Sequence, residues 1–279
     1  MDTVIKIAAL IACASLSAGF AQQAAPEPER AFAAARAVSP TPLRLDRDRE
    51  AWLEARRDAA FRDDVDAQWS ERWTADVARD GAVRAIGVTP ADLPAGCVDI
   101  GISGCKTLSG GYLNIKGERL MWQLQDGFTE EDGRAAGYVL LTGADRLHPV
   151  AWGREALWYE APQVFGDDEH AYVRIAGGMA GTGSFNADVL FRYRPGAEPR
   201  LEEIDTESWR ERDLPALLPP RLEIWKGVAY SDTMQSARAG LWRPDDGNCC
   251  PTGGAATLMF EIRGNRLVLT ALTRDPPAD

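Results

Sequence analysis

Histidine is nearly absent from the 279 residues: His148 and His170 are the whole supply. Hydrolase triads therefore have few candidate bases. No Gly-x-Ser-x-Gly elbow or His-Glu-x-x-His helix accompanies the two. Basic charge is also short, since Lys+Arg 31 against Asp+Glu 42 gives a net −11. An acidic surface attracts neither nucleic acid nor an anionic bilayer, which removes both from the expected partners. Beyond the N-terminal stretch, apolar runs are short, alternate with charge and end at Gly, Pro or Asp, so none is a candidate membrane span. With 45% hydrophobic and 26% charged residues, collagen-like and low-complexity classes are excluded as well.

The N-terminal stretch reads as a secretory signal over residues 1–21. Lys6 supplies the charge, Ile7 to Leu16 the apolar region, and Gly19-Phe20-Ala21 a small-x-small cleavage site before Gln22. A periplasmic or secreted location is therefore expected, with no membrane span after cleavage. Cys13 belongs to the signal, which leaves Cys97, Cys105, Cys249 and Cys250 in the mature chain. An even number in an exported protein favours disulfides. Sequence leaves the connectivity open between Cys97–Cys105 with a vicinal Cys249–Cys250 pair and two long-range bridges. Zinc is disfavoured because adjacent cysteines rarely both reach one tetrahedral ion.

Residues 22–43, rich in Ala and Pro, are expected to form a flexible linker. Residues 44–96 carry a helical segment: Phe61, Val65, Trp69, Trp73 and Val77 recur every fourth residue, Asp46 or Asp48 can cap the start, and Gly81 can end it. A repeat of four drifts around a helix of 3.6 residues per turn, so a bend or break is expected near Asp63-Asp64. From Tyr112 the period switches to two. Leu120, Trp122 and Leu124 alternate with Met121, Gln123 and Gln125, and turns at Lys116-Gly117, Gly166-Asp167-Asp168, Pro195-Gly196 and Gly264-Asn265 punctuate the chain. Residues 97–275 are thus expected to be a disulfide-bearing antiparallel β domain, a sheet or sandwich. A small or incomplete propeller is the alternative.

No motif fixes a reaction or a cofactor, and none is expected. Ser103-Gly104-Cys105-Lys106 fits Ser-x-x-Lys but sits among glycines without its companion motifs. Gly177 to Asn186 looks like a phosphate cradle yet leads into a strand. Two acidic loops, Asp126 to Gly133 and Asp245 to Asn248, have the oxygens calcium uses but not the EF-hand spacing. The densest polar segment is Trp242 to Gly254. If a ligand is held, the expected contacts are Trp242, Arg243, Asp246 and Asn248, with Thr182 and Asn186 from the glycine-rich loop. The leading reading is a non-enzymatic binding or structural module of the cell envelope, its partner an envelope ligand or protein. The runner-up is an envelope glycan or peptide hydrolase using paired carboxylates, drawn from Asp126, Asp245 and Asp246.

Overall fold

A computed structural model describes residues 27–57, 61–94, 96–129, 133–179 and 185–275. The signal segment expected over residues 1–21 lies outside the described residues, as does Thr182. Three helices come first: α1 (Glu27–Val38), α2 (Pro42–Ala55) and α3 (Arg62–Arg84).

The expected linker is helix from Glu27 on, and this is a correction. Pro28 falls in the first turn of α1, where a missing N–H costs no hydrogen bond, and five of the seven residues from Ala31 to Ala37 are alanine, the strongest helix former. Phe32 then packs edge-on against Trp73 at 5.3 Å. Ser39-Pro40-Thr41 breaks the chain, and Pro42 opens α2. The helical segment from residue 44 is two helices, with the break between Ala55 and Arg62, next to the expected Asp63-Asp64. Trp52 of α2 meets Trp73 of α3 edge-on at 5.6 Å, and its indole N–H donates to Asp66 at 2.8 Å. A helix pair can bury two tryptophans this way; one continuous helix would splay them apart. α3 also runs through Gly81 to Arg84, whose guanidinium caps the Val38 carbonyl of α1 at 2.7 Å.

The β region opens with a meander of β1 (Ser103–Ile115), β2 (Glu118–Thr129), β3 (Gly133–Thr142) and β4 (His148–Ala156). The β1–β2 turn is Lys116-Gly117, both with positive φ, as a two-residue hairpin requires. Next come β5 (Trp158–Tyr159), β6 (Gln163–Gly166), β7 (Ala171–Ile175), β8 (Gly177–Gly178), β9 (Val189–Tyr193) and β10 (Leu201–Ile204). β5 pairs with β8, while β6, β7, β9 and β10 form a second antiparallel sheet. After α4 (Trp209–Arg212) and α5 (Leu214–Leu217), a third sheet joins β11 (Ala229–Tyr230), β12 (Ser236–Gly240), β13 (Ala255–Arg263) and β14 (Arg266–Asp275). Gly264-Asn265 closes the last hairpin with positive φ at the glycine, the turn its sequence predicts.

The protein is mainly β, with its sheets antiparallel and no closed barrel among the described residues. The propeller alternative shares this four-stranded unit; here three such sheets stack through two apolar layers. Leu120, Leu124, Tyr138 and Leu140 of the first sheet meet Val173, Ile175, Phe191 and Tyr193 of the second. The opposite face of the second sheet, with Leu190 and Ile204, meets Leu258, Phe260 and Leu267 of the third. Alternation of period two places both sets on one strand.

β3 is buried on both faces because the chain before β1 covers the first sheet from outside. Val83, Val98, Ile100 and Ile102 pack on Val139, Leu141 and Trp152. Gly137 leaves room for that cover, since a Cβ there would meet Ile102 at 2.5 Å. Gln123 and Gln125, the polar face of β2, are buried beneath it. The Gln123 amide donates to the carbonyls of Leu93 (2.9 Å) and Gly96 (2.8 Å), and its oxygen accepts the Val98 N–H at 2.9 Å. The Cys97–Cys105 disulfide, S–S 2.04 Å, ties the same cover to β1. The other pair is vicinal, Cys249–Cys250, so of the two connectivities the local one is present.

Candidate functional site

The end of the sandwich between the first two sheets is not closed by strands. α2 lies across it and leaves a cavity of about 770 Å³. The inner end is Tyr138 of β3 and Tyr159 of β5, ring to ring at 5.0 Å and edge-on. Leu43, Arg44 and Arg47 of α2 form one wall. The other wall is Asp188 before β9, Glu203 of β10, and the chain from Asp205 through α4.

α2 is anchored by a charged cluster. Arg44 contacts Asp48 (3.0 Å), Asp76 (3.5 Å) and Glu155 (3.3 Å), and Arg79 contacts Asp76 (2.6 Å) and Asp80 (3.1 Å). Asp80 also accepts the Trp152 indole N–H at 3.2 Å. Burial pushes Arg44 down, but the carboxylates of Glu155, Asp76 and Asp48 more than reverse it, so its net shift is upward. At the opposite wall the Asp188 carboxylate takes two hydrogen bonds from Arg174, at 2.7 and 3.1 Å.

Glu203 is the outlier. Its Oε2 accepts the Leu43 backbone N–H at 2.8 Å, and Arg47 and Arg44 favour its ionised form through space. Burial raises its pKa to about 7, with Glu155 adding to the rise, while the Leu43 N–H, Arg47 and Arg44 oppose it. Glu207 is raised by burial too, although Arg210 sits 3.3 Å away. The hydroxyl of Tyr138, 1% exposed, is buried without a hydrogen-bond partner. Desolvation drives its pKa well up, and Tyr159, Glu155 and Glu203 add to the rise. Chemically the site offers acceptors in excess and a carboxyl group whose pKa burial raises to about 7.

Comparison with protein-family models, with curated proteins and with solved structures returns no match. The site must be read from its own chemistry.

The residues expected from sequence fare unevenly. Trp242 is a correction: it is 7% exposed, its backbone pairs in both directions with Glu223 at 2.9 Å, and its ring turns over Gly240 instead of offering a stacking face. Asp246 serves the loop itself. Its oxygens accept the N–H groups of Arg243 (2.7 Å) and Thr252 (2.8 Å) and the Thr252 hydroxyl (2.6 Å), so it closes its own loop. Those bonds, the Thr252 hydroxyl first, hold its pKa low. Arg243 reaches the Thr252 hydroxyl at 3.5 Å, and Asn248 is exposed beside the vicinal cysteines. Asp126 pairs with Arg134 at 3.1 Å, Asp245 is exposed, and neither they nor Asp246 line the cavity.

Asn186 does line the cavity, but its amide is engaged. It exchanges hydrogen bonds with the Val228 backbone at 2.7 and 2.9 Å and donates to Asp188 at 2.9 Å. The two expected loops are linked in space: Lys226 lies 4.9 Å from the Phe185 ring and 4.3 Å from the Trp225 ring, which meets Trp242 at 6.2 Å. Neither histidine lines the cavity; His148 Nδ1 sits 2.8 Å from the Ile86 carbonyl.

Glu203, Glu155 and the two tyrosines went unnoticed in the sequence. One signal was available. Leu201 and Glu203 are two apart on a strand and so share a face, and Leu201 belongs to the inner core. A carboxylate on an inward position marks a site or a cost.

Proposed function

We propose that this chain is an exported binding module of the cell envelope that holds a small polar ligand in the cleft under α2. The export half rests on the signal-like first 21 residues and on four cysteines placed in two pairs. In support, no helix among the described residues is long and apolar enough to cross a membrane.

The observation that carries the binding half is Glu203, a lining carboxylate of a cavity large enough for a ligand, held by a single backbone N–H. A carboxylate shielded from water and held by one hydrogen bond keeps unused acceptor sites, and a ligand that donates to them gains on binding. The test is a screen of sugars, amino acids, cations and anions by thermal shift, followed by amide chemical-shift mapping of each hit. Hits should move Leu43, Asp188 and Glu203. Hits that map elsewhere, or none at all, would sink the reading.

One observation favours a second reading, the hydrolase with paired carboxylates. Glu203 is half-protonated near neutrality and lines the same cavity as Glu155. A protonated Glu203 could donate to a leaving group, with Glu155 placed to polarise water. Under this reading Glu203→Gln binds substrate and does not cleave it. Under the first, no fluorogenic glycoside or dipeptide is turned over by either protein.

A further inference from the structure

We propose that Cys249–Cys250 is a redox-active pair, a surface site that takes two electrons from an external dithiol and passes them on to a disulfide while the fold stays intact. The site is separate from the cleft, since no residue from Leu241 to Gly254 lines the cavity.

The two disulfides differ in what they hold. Cys97 and Cys105 are half-buried and eight residues apart, and their bond ties the cover to β1. Cys249 and Cys250 are neighbours, so their bond closes no stretch of chain and lacks the loop-closure entropy by which a disulfide stabilises a fold. Nor does the loop need them. Its base is fixed by the Gly253 N–H on the Leu241 carbonyl (2.8 Å) and the Leu241 N–H on the Gly254 carbonyl (3.0 Å). Asp246 clamps the span between, accepting the Arg243 N–H from before the cysteines and the Thr252 N–H and hydroxyl from after them. The Cys250 N–H turns back onto the Gly247 carbonyl at 3.2 Å. A bond that holds nothing in place is thus left where the chain from Gly247 to Cys250 is exposed.

Access to the sulfurs and freedom from the rest of the fold are what thiol–disulfide exchange requires. A thiolate of the dithiol attacks one of the two sulfurs, the S–S bond breaks, and the other cysteine leaves as a thiolate. The second sulfur of the dithiol then attacks the mixed disulfide, releasing both cysteines reduced and the dithiol oxidised. Two electrons and two protons pass from dithiol to protein. In the return direction one cysteine attacks a substrate disulfide and displaces its first thiol. The adjacent cysteine, always within reach, then resolves the mixed disulfide and displaces the second.

The test starts from the full oxidised protein, titrated with dithiothreitol while folded, quenched by alkylation and read by peptide mapping. Cys249 and Cys250 should be alkylated together at about tenfold less reductant than Cys97 and Cys105, because only the Cys97–Cys105 bond is protected by structure it holds. Once the reductant is removed, oxidised glutathione should close the pair again. Wild type should retain no glutathione adduct, whereas Cys249→Ser and Cys250→Ser should each keep one, having lost the resolving thiol. The double serine variant should melt within about 2 °C of wild type. Opening only at or above the reductant level that opens Cys97–Cys105, failure to reclose, or a double variant melting several degrees lower overturns the inference and leaves the pair a structural staple.

Discussion

For single residues, the groups with most leverage are those held away from water. Glu203 titrates near 7 in the folded protein against about 4.3 for an unperturbed glutamate. Its folded pKa is raised, so the fold favours the protonated form. Its contribution to stability is complete below the unperturbed value and is lost as pH rises through about 7. Wild-type melting temperature should therefore fall between about pH 5 and about pH 8 relative to Glu203→Gln, in paired scanning calorimetry. Parallel profiles would show that the site does not perturb Glu203. Trp73 has the opposite character: it is fully buried and packs against Phe32, Trp52 and Trp69. Trp73→Ala should cost about 3–5 kcal/mol in urea unfolding, as large-to-small changes in a core do.

Among the elements, α2 both completes the cleft and attaches the helices to the sheets. Arg44 is the pin. Arg44→Met should cost about 3 kcal/mol, because Asp48 and Asp76 are left with fewer counter-charges while still enclosed. Urea titration reads the loss directly. Removing residues 22–42 should lower the melting temperature by several degrees, since Phe32 and Ala35 leave the helical core exposed. A truncated protein melting like the intact one would return α1 to the status of a tether. The hairpins were legible in sequence because their causes are local: alternation, plus turns at Lys116-Gly117 and Gly264-Asn265 with positive φ at Lys116, Gly117 and Gly264. α1 was misread because proline and alanine pull the same composition toward linker or helix, and the deciding contact, Phe32 on Trp73, is distant in sequence. The cleft was illegible for the same reason. It is assembled from α2, β3, β5 and the chain around β9 and β10, and nothing local joins Leu43 to Glu203.

Taken as one molecule, the chain has two short-range disulfides and several shared cores. Unfolded, unreduced protein should show no labelling at Cys97, Cys105, Cys249 or Cys250 in peptide mapping, since the four are paired; stoichiometric labelling of any of them would refute the pairing. Closing the loop between Cys97 and Cys105 is worth about 2.5 kcal/mol in the chain-entropy model, and reduction should loosen the Gln123-clamped cover before anything else. The middle sheet behaves differently. With Val173 and Phe191 turned to one apolar layer and Leu190 and Ile204 to the other, it is a party wall. Neither neighbour can be demolished without stripping a face of it, so the two layers cannot melt in separate steps. Slowest hydrogen exchange is expected at the amides of β7 and β9, with one protection level across both cores. The chain thereby trades modular rescue for an all-or-none transition: a lesion in either layer is felt in the other.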